Sequence, residues 1–288
     1  MRDSGQTVQD PASAGSADEA NRRFALELTH AFGGAILFSF PMLMTMELWQ
    51  LGFYMDPFRL ALFIVLDIPL LVGISRYVGF EPTSQPLADV LDAFTAYAVG
   101  FAVAALLLLL FAIIGPGMST NEIIGKIAVQ AVPASIGATL ARSQFGESER
   151  EEEKRRSARY GGGLFLMAVG AFYFSASVAS TEEMVLISFK MTFAHVVALM
   201  VFSLAVMHGF VHAVVAQGKT PILPDAIPFW PVFLRFTIAG YGIALLISVF
   251  MLWIFGRAGG LEVAQVVQAT VVLGFPAALG AGAARLLL

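Results

Sequence analysis

Cysteine is absent from all 288 residues, which excludes a disulfide framework, a thiolate metal site and a cysteine nucleophile. Charge is scarce too: only 13% of residues are Asp, Glu, Lys or Arg, against about 25% in a soluble domain. With 58% hydrophobic residues and a mean hydropathy of +0.78, the chain could not solvate its own surface. A water-soluble enzyme is excluded. A formal net charge of −4 gives no basic footprint, so no nucleic-acid partner is expected. Neither H-E-x-x-H nor G-x-S-x-G occurs, and no catalytic residue, metal or cofactor is expected. What is present in abundance is apolar sequence, and it fits an all-α polytopic membrane protein whose main partner is the lipid bilayer.

A span needs about 20 apolar residues to cross a hydrocarbon core of ~30 Å. Residues 1–21 are small, polar and aperiodic, read as a disordered cytoplasmic tail, and lack a signal peptide's apolar core. Eight apolar stretches follow, near 24–48, 57–79, 89–114, 121–142, 160–180, 189–216, 230–256 and 261–287. Turn chemistry separates them at Asp56-Pro57, Glu81-Pro82, Gly115-Pro116-Gly117, Pro221 with Pro224, and Gly259-Gly260. Asp56 reads as an N-cap before a first-turn proline. Ser119 with Glu122, and Ser180 with Glu183, have capping-box spacing. Eight spans put both termini on one side, and that side collects 13 of the 17 lysines and arginines. The bias expects both termini in the cytoplasm of a bacterial inner membrane.

The two halves of the chain look alike. Gly34-Ala35, Phe38-Ser39, Thr45 and Glu47 recur 136 positions later as Gly170-Ala171, Phe174-Ser175, Thr181 and Glu183. Gly73 and Gly209 keep that separation, and Phe94-Thr95 recurs 142 positions on as Phe236-Thr237. Pro133, Gly137 and Arg142 match Pro276, Gly280 and Arg285 at 143. The expected organisation is a four-helix unit at 22–146, a charged cytoplasmic linker at 147–158, and a second unit at 159–288. An even number of helices per unit makes the repeats parallel, related by an axis along the membrane normal.

The segment P-x3-T-M-E-x-W at Pro41, Thr45, Met46, Glu47 and Trp49, with VPASIGATLA (132–141) and STEE (180–183), resembles a bacterial family of integral membrane proteins catalogued as a domain of unknown function. The resemblance covers most of residues 22–216. It implies a polytopic membrane protein and supplies no mechanism.

Ionisable groups inside spans cost about 2.5–3.5 kcal/mol each on insertion scales and mark candidate sites. Asp67 sits mid-span, two residues before Pro69, which frees the Val65 carbonyl. It reads either as a proton or small-cation site or as a neutral acid bonded to a neighbouring helix. Glu47 and Glu183, with Glu182 beside it, are expected at the non-cytoplasmic ends of the first helix of each unit. There they would form a negative vestibule, or in Glu183's case a helix cap. Gln130 and Gln268, near the kinks at Pro133 and Pro276, can line a wet pathway or serve packing; Pro41 is a further kink. Lys126 is expected to snorkel outward. Glu27 with His30, and His208 with His212, share helix faces near the cytoplasmic interface and are candidate proton-entry groups. The 25 residues from Glu183 to His208, ~37 Å of helix, exclude an intramembrane metalloprotease. Two functions stay open. One is a proton- or cation-linked transporter or conduit with its pathway between the repeats. The other is a scaffold recruiting a partner through the linker; a homo-oligomer fits either.

Overall fold

Every element of the computed structural model is a helix, and it describes residues 11–78, 86–144, 160–216 and 229–287. The charged linker at 147–158, the turns at Glu81-Pro82 and at Pro221 with Pro224, and the first ten residues lie outside the described residues. Helix α1 (Pro11–Leu43) starts earlier than the apolar pattern required. Residues 11–21, read above as tail, join it because proline suits the first helical position and alanines recur at 12, 14, 17 and 20.

Then come α2 (Met46–Tyr54), α3 (Pro57–Val78), α4 (Pro86–Leu110) and α5 (Thr120–Gln144). The second half contains α6 (Tyr160–Ala179), α7 (Glu183–Lys190) and α8 (Phe193–Ala216). A short α9 (Phe229–Val232) leads through a π-helical stretch, Phe233–Ile238, into α10 (Ala239–Ile254). Helix α11 (Val263–Leu287) closes the chain. Among the described residues, eight helical segments are long and apolar enough to cross a membrane, and they coincide with the eight apolar stretches.

Caps explain several boundaries. Asp56 Oδ1 accepts the amides of Phe58 at 3.0 Å and Arg59 at 3.2 Å, opening α3. Ser119 Oγ accepts the Glu122 amide at 3.2 Å, opening α5. The pairing of Ser180 with Glu183 does not form a capping box. Ser180 instead turns its hydroxyl back to the Ser177 carbonyl at 2.9 Å, and the N-cap of α7 is Glu182. Two short helices also break what the sequence read as continuous spans. Thr45, with φ −95° and ψ 104°, separates α1 from α2. An extended residue, Met191, ends α7 before α8.

Packing is organised around α5 and α11. Helices α1, α2, α3 and α4 all pack on α5, while α6, α7, α8 and α10 all pack on α11. No hydrophobic force drives helices together in lipid, so close approach depends on small residues. A Cβ added at Gly34 would overlap the Gly137 carbonyl, and one at Gly170 would overlap the Gly280 carbonyl. Helices α1 and α5 thus touch backbone to backbone, as do α6 and α11. Gly52 of α2 meets Gly125 of α5 in the same way. The span Thr120–Ala141 is more deeply buried than any other span described.

The halves meet along α1 and α3 on one side and α6 and α10 on the other. Phe63 stacks on Phe172 (5.7 Å) and meets the edge of Phe255 (5.3 Å). The Tyr173 hydroxyl donates to the Phe38 carbonyl at 2.7 Å, and Arg59 lies 5.1 Å over the Trp253 ring. Gly73 leaves room for the Phe165 ring.

Replacing Gly137 or Gly280 by leucine forces these crossings apart. Each change is expected to cost on the order of 3 kcal/mol, at the upper end for overpacking. Gly33→Leu, at an exposed position with nothing near its would-be Cβ, is expected to cost nothing. Thermal unfolding of the three variants in detergent checks the contrast.

Candidate functional site

Asp67 is the one carboxylate among the described residues that is fully buried, with 0% exposure. It lies ten residues into α3, about 15 Å along the helix and hence near mid-membrane. Its Oδ2 sits 2.7 Å from the hydroxyl of Ser135 on α5, itself 0% exposed. That hydroxyl is also 2.8 Å from the Val132 carbonyl oxygen. The other carboxyl oxygen, Oδ1, has no hydrogen-bond partner. Nearby, the Tyr97 hydroxyl donates to the Ile64 carbonyl of α3 at 3.1 Å, so α4 is tied to the same stretch of helix.

The proline expected to complete this site does not. Pro69 and Val65 are exposed, Val65 by 57%, because two residues along an α-helix turn by about 200°. The carbonyl freed by Pro69 therefore belongs to the outer face of α3, and Asp67 to the inner one. Ser135 takes the place assigned to that carbonyl. It is a hydroxyl two residues past Pro133 on α5, a signal visible in the sequence but not singled out.

The other residues are dispersed. Glu47 and Glu183 both stand in the first turns of short helices, α2 and α7, rather than at the ends of the first spans. The Thr45 break moves Glu47 out of α1. Glu47 is half-buried and Glu183 exposed, and no hydrogen bond or ion pair joins them among the described residues. Hydrogen bonding by its own backbone N–H holds the Glu183 carboxyl below the usual carboxylate range. Glu182 is bound to Arg257 at 2.8 Å, and the same guanidinium donates to the Ser180 carbonyl.

Gln130 is fully buried and donates to the Ser39 carbonyl at 2.8 Å, clamping α5 to the last turns of α1. Gln268 is half-buried on α11. Pro133 is buried at the seam between the halves, beside Phe172 and Tyr173, in a narrow crevice with no room for a water molecule. Pro276 is half-buried and Pro41 exposed. His208 Nδ1 lies 2.9 Å from the Thr237 hydroxyl in the π-helical stretch, and its ring centre is 6.4 Å from that of His212. Glu27 borders a second crevice with Phe24, Leu28, Ala31 and Thr95, and His30 is half-buried one turn on.

Lys126 is a correction. It is 4% exposed, paired with Glu122 at 2.6 Å and 5.2 Å from the Trp49 ring centre. The partner lies one turn earlier on the same helix, so the ammonium is neutralised in place and has no need to snorkel. Trp49 of the P-x3-T-M-E-x-W segment thereby gains a role as the aromatic wall of this ion pair.

Residues 27–288 match the family model described as "Putative integral membrane protein (DUF2391)". The chain belongs to that family, and the match runs past residue 216 to the final residue. No curated protein matches the chain, and no solved structure does.

The two acidic ion pairs differ in burial, and their deletion should differ accordingly. Glu122→Ala strands a buried ammonium and is expected to cost about 3–5 kcal/mol. Glu182 is 73% exposed, and Glu182→Ala is expected to cost under about 1 kcal/mol. Denaturation midpoints of the two purified variants measure the difference.

Proposed function

We propose that this protein is a proton-linked transporter in which Asp67 takes up and returns the proton. One observation carries the reading. The Ser135 hydroxyl has a single proton and two acceptors within reach, Asp67 Oδ2 and the Val132 carbonyl. When Asp67 holds a proton it donates to Ser135, which donates to Val132, and each acceptor receives one. When Asp67 loses the proton, the carboxylate and the carbonyl compete for that hydroxyl. The two states thus prefer different pairings between α3 and α5, which gives a proton a way to bias how these helices pack.

A proton suits the site better than a metal ion. Hard cations take six or more oxygen ligands, whereas one side-chain hydroxyl stands at hydrogen-bond distance from this carboxyl. Both groups are shut away from the surface, which favours alternating access over an open pore. The seam between the halves, with its crevice at Pro133 and Tyr173, is the place where α5 meets the second half and where such motion would be transmitted.

The wider arrangement belongs to the same proposal. The two halves descend from one duplicated four-helix unit. This is supported by glycine contacts at Gly34/Gly137 and Gly170/Gly280, the very positions that recur at separations of 136 and 143. The units are parallel, and the positive-inside bias puts both termini in the cytoplasm of a bacterial inner membrane.

Reconstituted in liposomes under a pH gradient, with a panel of monovalent cations, the wild type is expected to carry protons. Asp67→Asn keeps the shape and is expected to reduce that flux at least about tenfold while eluting as a folded protein; undiminished flux would refute the assignment. Reporter fusions after residues 150 and 218 are expected to read cytoplasmic, and one after 117 the opposite side.

A further inference from the structure

Eight crossings place the connections 44–56, 111–119, 180–192 and 255–262 on one side of the membrane, and all four are described throughout. Two of them hold short helices, α2 and α7, each following the first span of its half. At nine and eight residues, roughly 12–14 Å, neither can cross a hydrocarbon core.

Each short helix fastens one face to the bundle. Helix α2 buries Leu48, Leu51 and Gly52, and Gly52 meets the Gly125 backbone of α5. Helix α7 buries Met184 and Ser188 and packs on α11. The outward face of each is apolar as well. Met46, Phe53 and Tyr54 of α2 are 52–69% exposed, and Leu186, Ile187 and Phe189 of α7 are 48–57% exposed. The two helices share one register. Leu48 and Met184, Gly52 and Ser188, and Phe53 and Phe189 all stand 136 positions apart. The first two pairs are buried and the phenylalanines exposed.

A patch of large apolar side chains facing water is a liability. Here the patches adjoin, along the chain, the outer faces of membrane spans. Phe40 near the end of α1 is 42% exposed, and Phe193 at the start of α8 is 81% exposed, so both faces continue a surface already turned to lipid. The depth agrees. Gly125 lies five residues inside the span that opens at Thr120, about 7.5 Å along the helix axis. Amphipathic helices at a bilayer boundary sink their apolar faces about 5–10 Å into it.

We propose that α2 and α7 lie in the bilayer interface on the side away from the termini, with the Phe53 and Phe189 faces immersed in acyl chains. Glu183 and Lys190, two turns apart and both exposed, share the flank of α7 that stays at the headgroups. Through Gly52 and Gly125, α2 ties that leaflet to α5, the helix that also carries Ser135.

Because the chain has no cysteine, single cysteines can be introduced without removing a native one. Nitroxide labels at Phe53→Cys and Phe189→Cys are read by power saturation, with the full chain in liposomes of phosphatidylcholine and phosphatidylglycerol. The two relaxing agents are oxygen, which concentrates in lipid, and a water-soluble nickel chelate. Val201→Cys, at a position 62% exposed and eight residues into α8, is the lipid reference. Pro116→Cys, exposed in the connection from α4 to α5, is the water reference. The ratio of oxygen to nickel access at both phenylalanine positions is expected to exceed that at Pro116→Cys at least about threefold and to fall below that at Val201→Cys. Tyr54→Cys and Leu186→Cys repeat the reading on the same faces if either phenylalanine variant fails to fold. Nickel access equal to that at Pro116→Cys would put the faces in water and overturn the proposal. Exclusion of both agents, with spectra broadened by the spins of a second copy, would reveal a protein partner there and overturn it as well.

Discussion

Backbone contact between glycines is the constraint on which this structure depends. Apolar surface gains nothing by leaving lipid for protein, so helices associate through close packing and polar contacts. The crossings at Gly34/Gly137 and Gly170/Gly280 bring α1 onto α5 and α6 onto α11. The remaining helices then gather around α5 and α11. A side chain at any of these four glycines would hold the axes apart and loosen the polar contacts that the short distance makes available. Gln130 reaching the Ser39 carbonyl is one such contact, since it requires α1 to lie directly on α5.

Under the proposed duplication, Asp67 has no counterpart acid. The position 136 residues on is Ser203, buried at 1% and bonded to the Leu199 carbonyl of its own helix at 2.7 Å. A serine satisfied within its own helix holds the place quietly, whereas a carboxyl at the same depth needs a neighbour to share a proton with. Ser135 is that neighbour in the first half; 143 residues further on stands Ala278. On the proposed duplication the asymmetry lies in both members of the pair, and the halves would share packing but not chemistry.

The spans, their number and most boundaries were legible in the sequence because hydropathy over 20 residues and proline or Asp-Pro breaks are local signals. The depth of Asp67 was legible for the same reason, and its burial because an ionisable group facing lipid is costly. The Pro69 carbonyl was misjudged because distance along a helix says nothing of which face a group occupies; Asp67 and Val65 are two residues apart and point to opposite sides. Lys126 was misjudged because a lone cation in an apolar stretch suggests escape to the interface, when Glu122 one turn away neutralises it. Contacts across distant segments left the faintest traces. Tyr173 bonding to Phe38, Arg257 to Glu182 and Ser135 to Asp67 all depend on which helices adjoin, and apolar periodicity does not specify neighbours.

Infrared difference spectroscopy on the protein in lipid, with the bulk pH stepped between two buffers, tests the central claim most directly. A carboxyl group that exchanges its proton contributes a C=O stretching band that changes with the step. If Asp67 is the proton carrier, that band disappears in Asp67→Asn and shifts in Ser135→Ala, because its hydrogen-bond partner has gone. A pH-dependent carboxyl spectrum unaltered by Asp67→Asn would contradict the account.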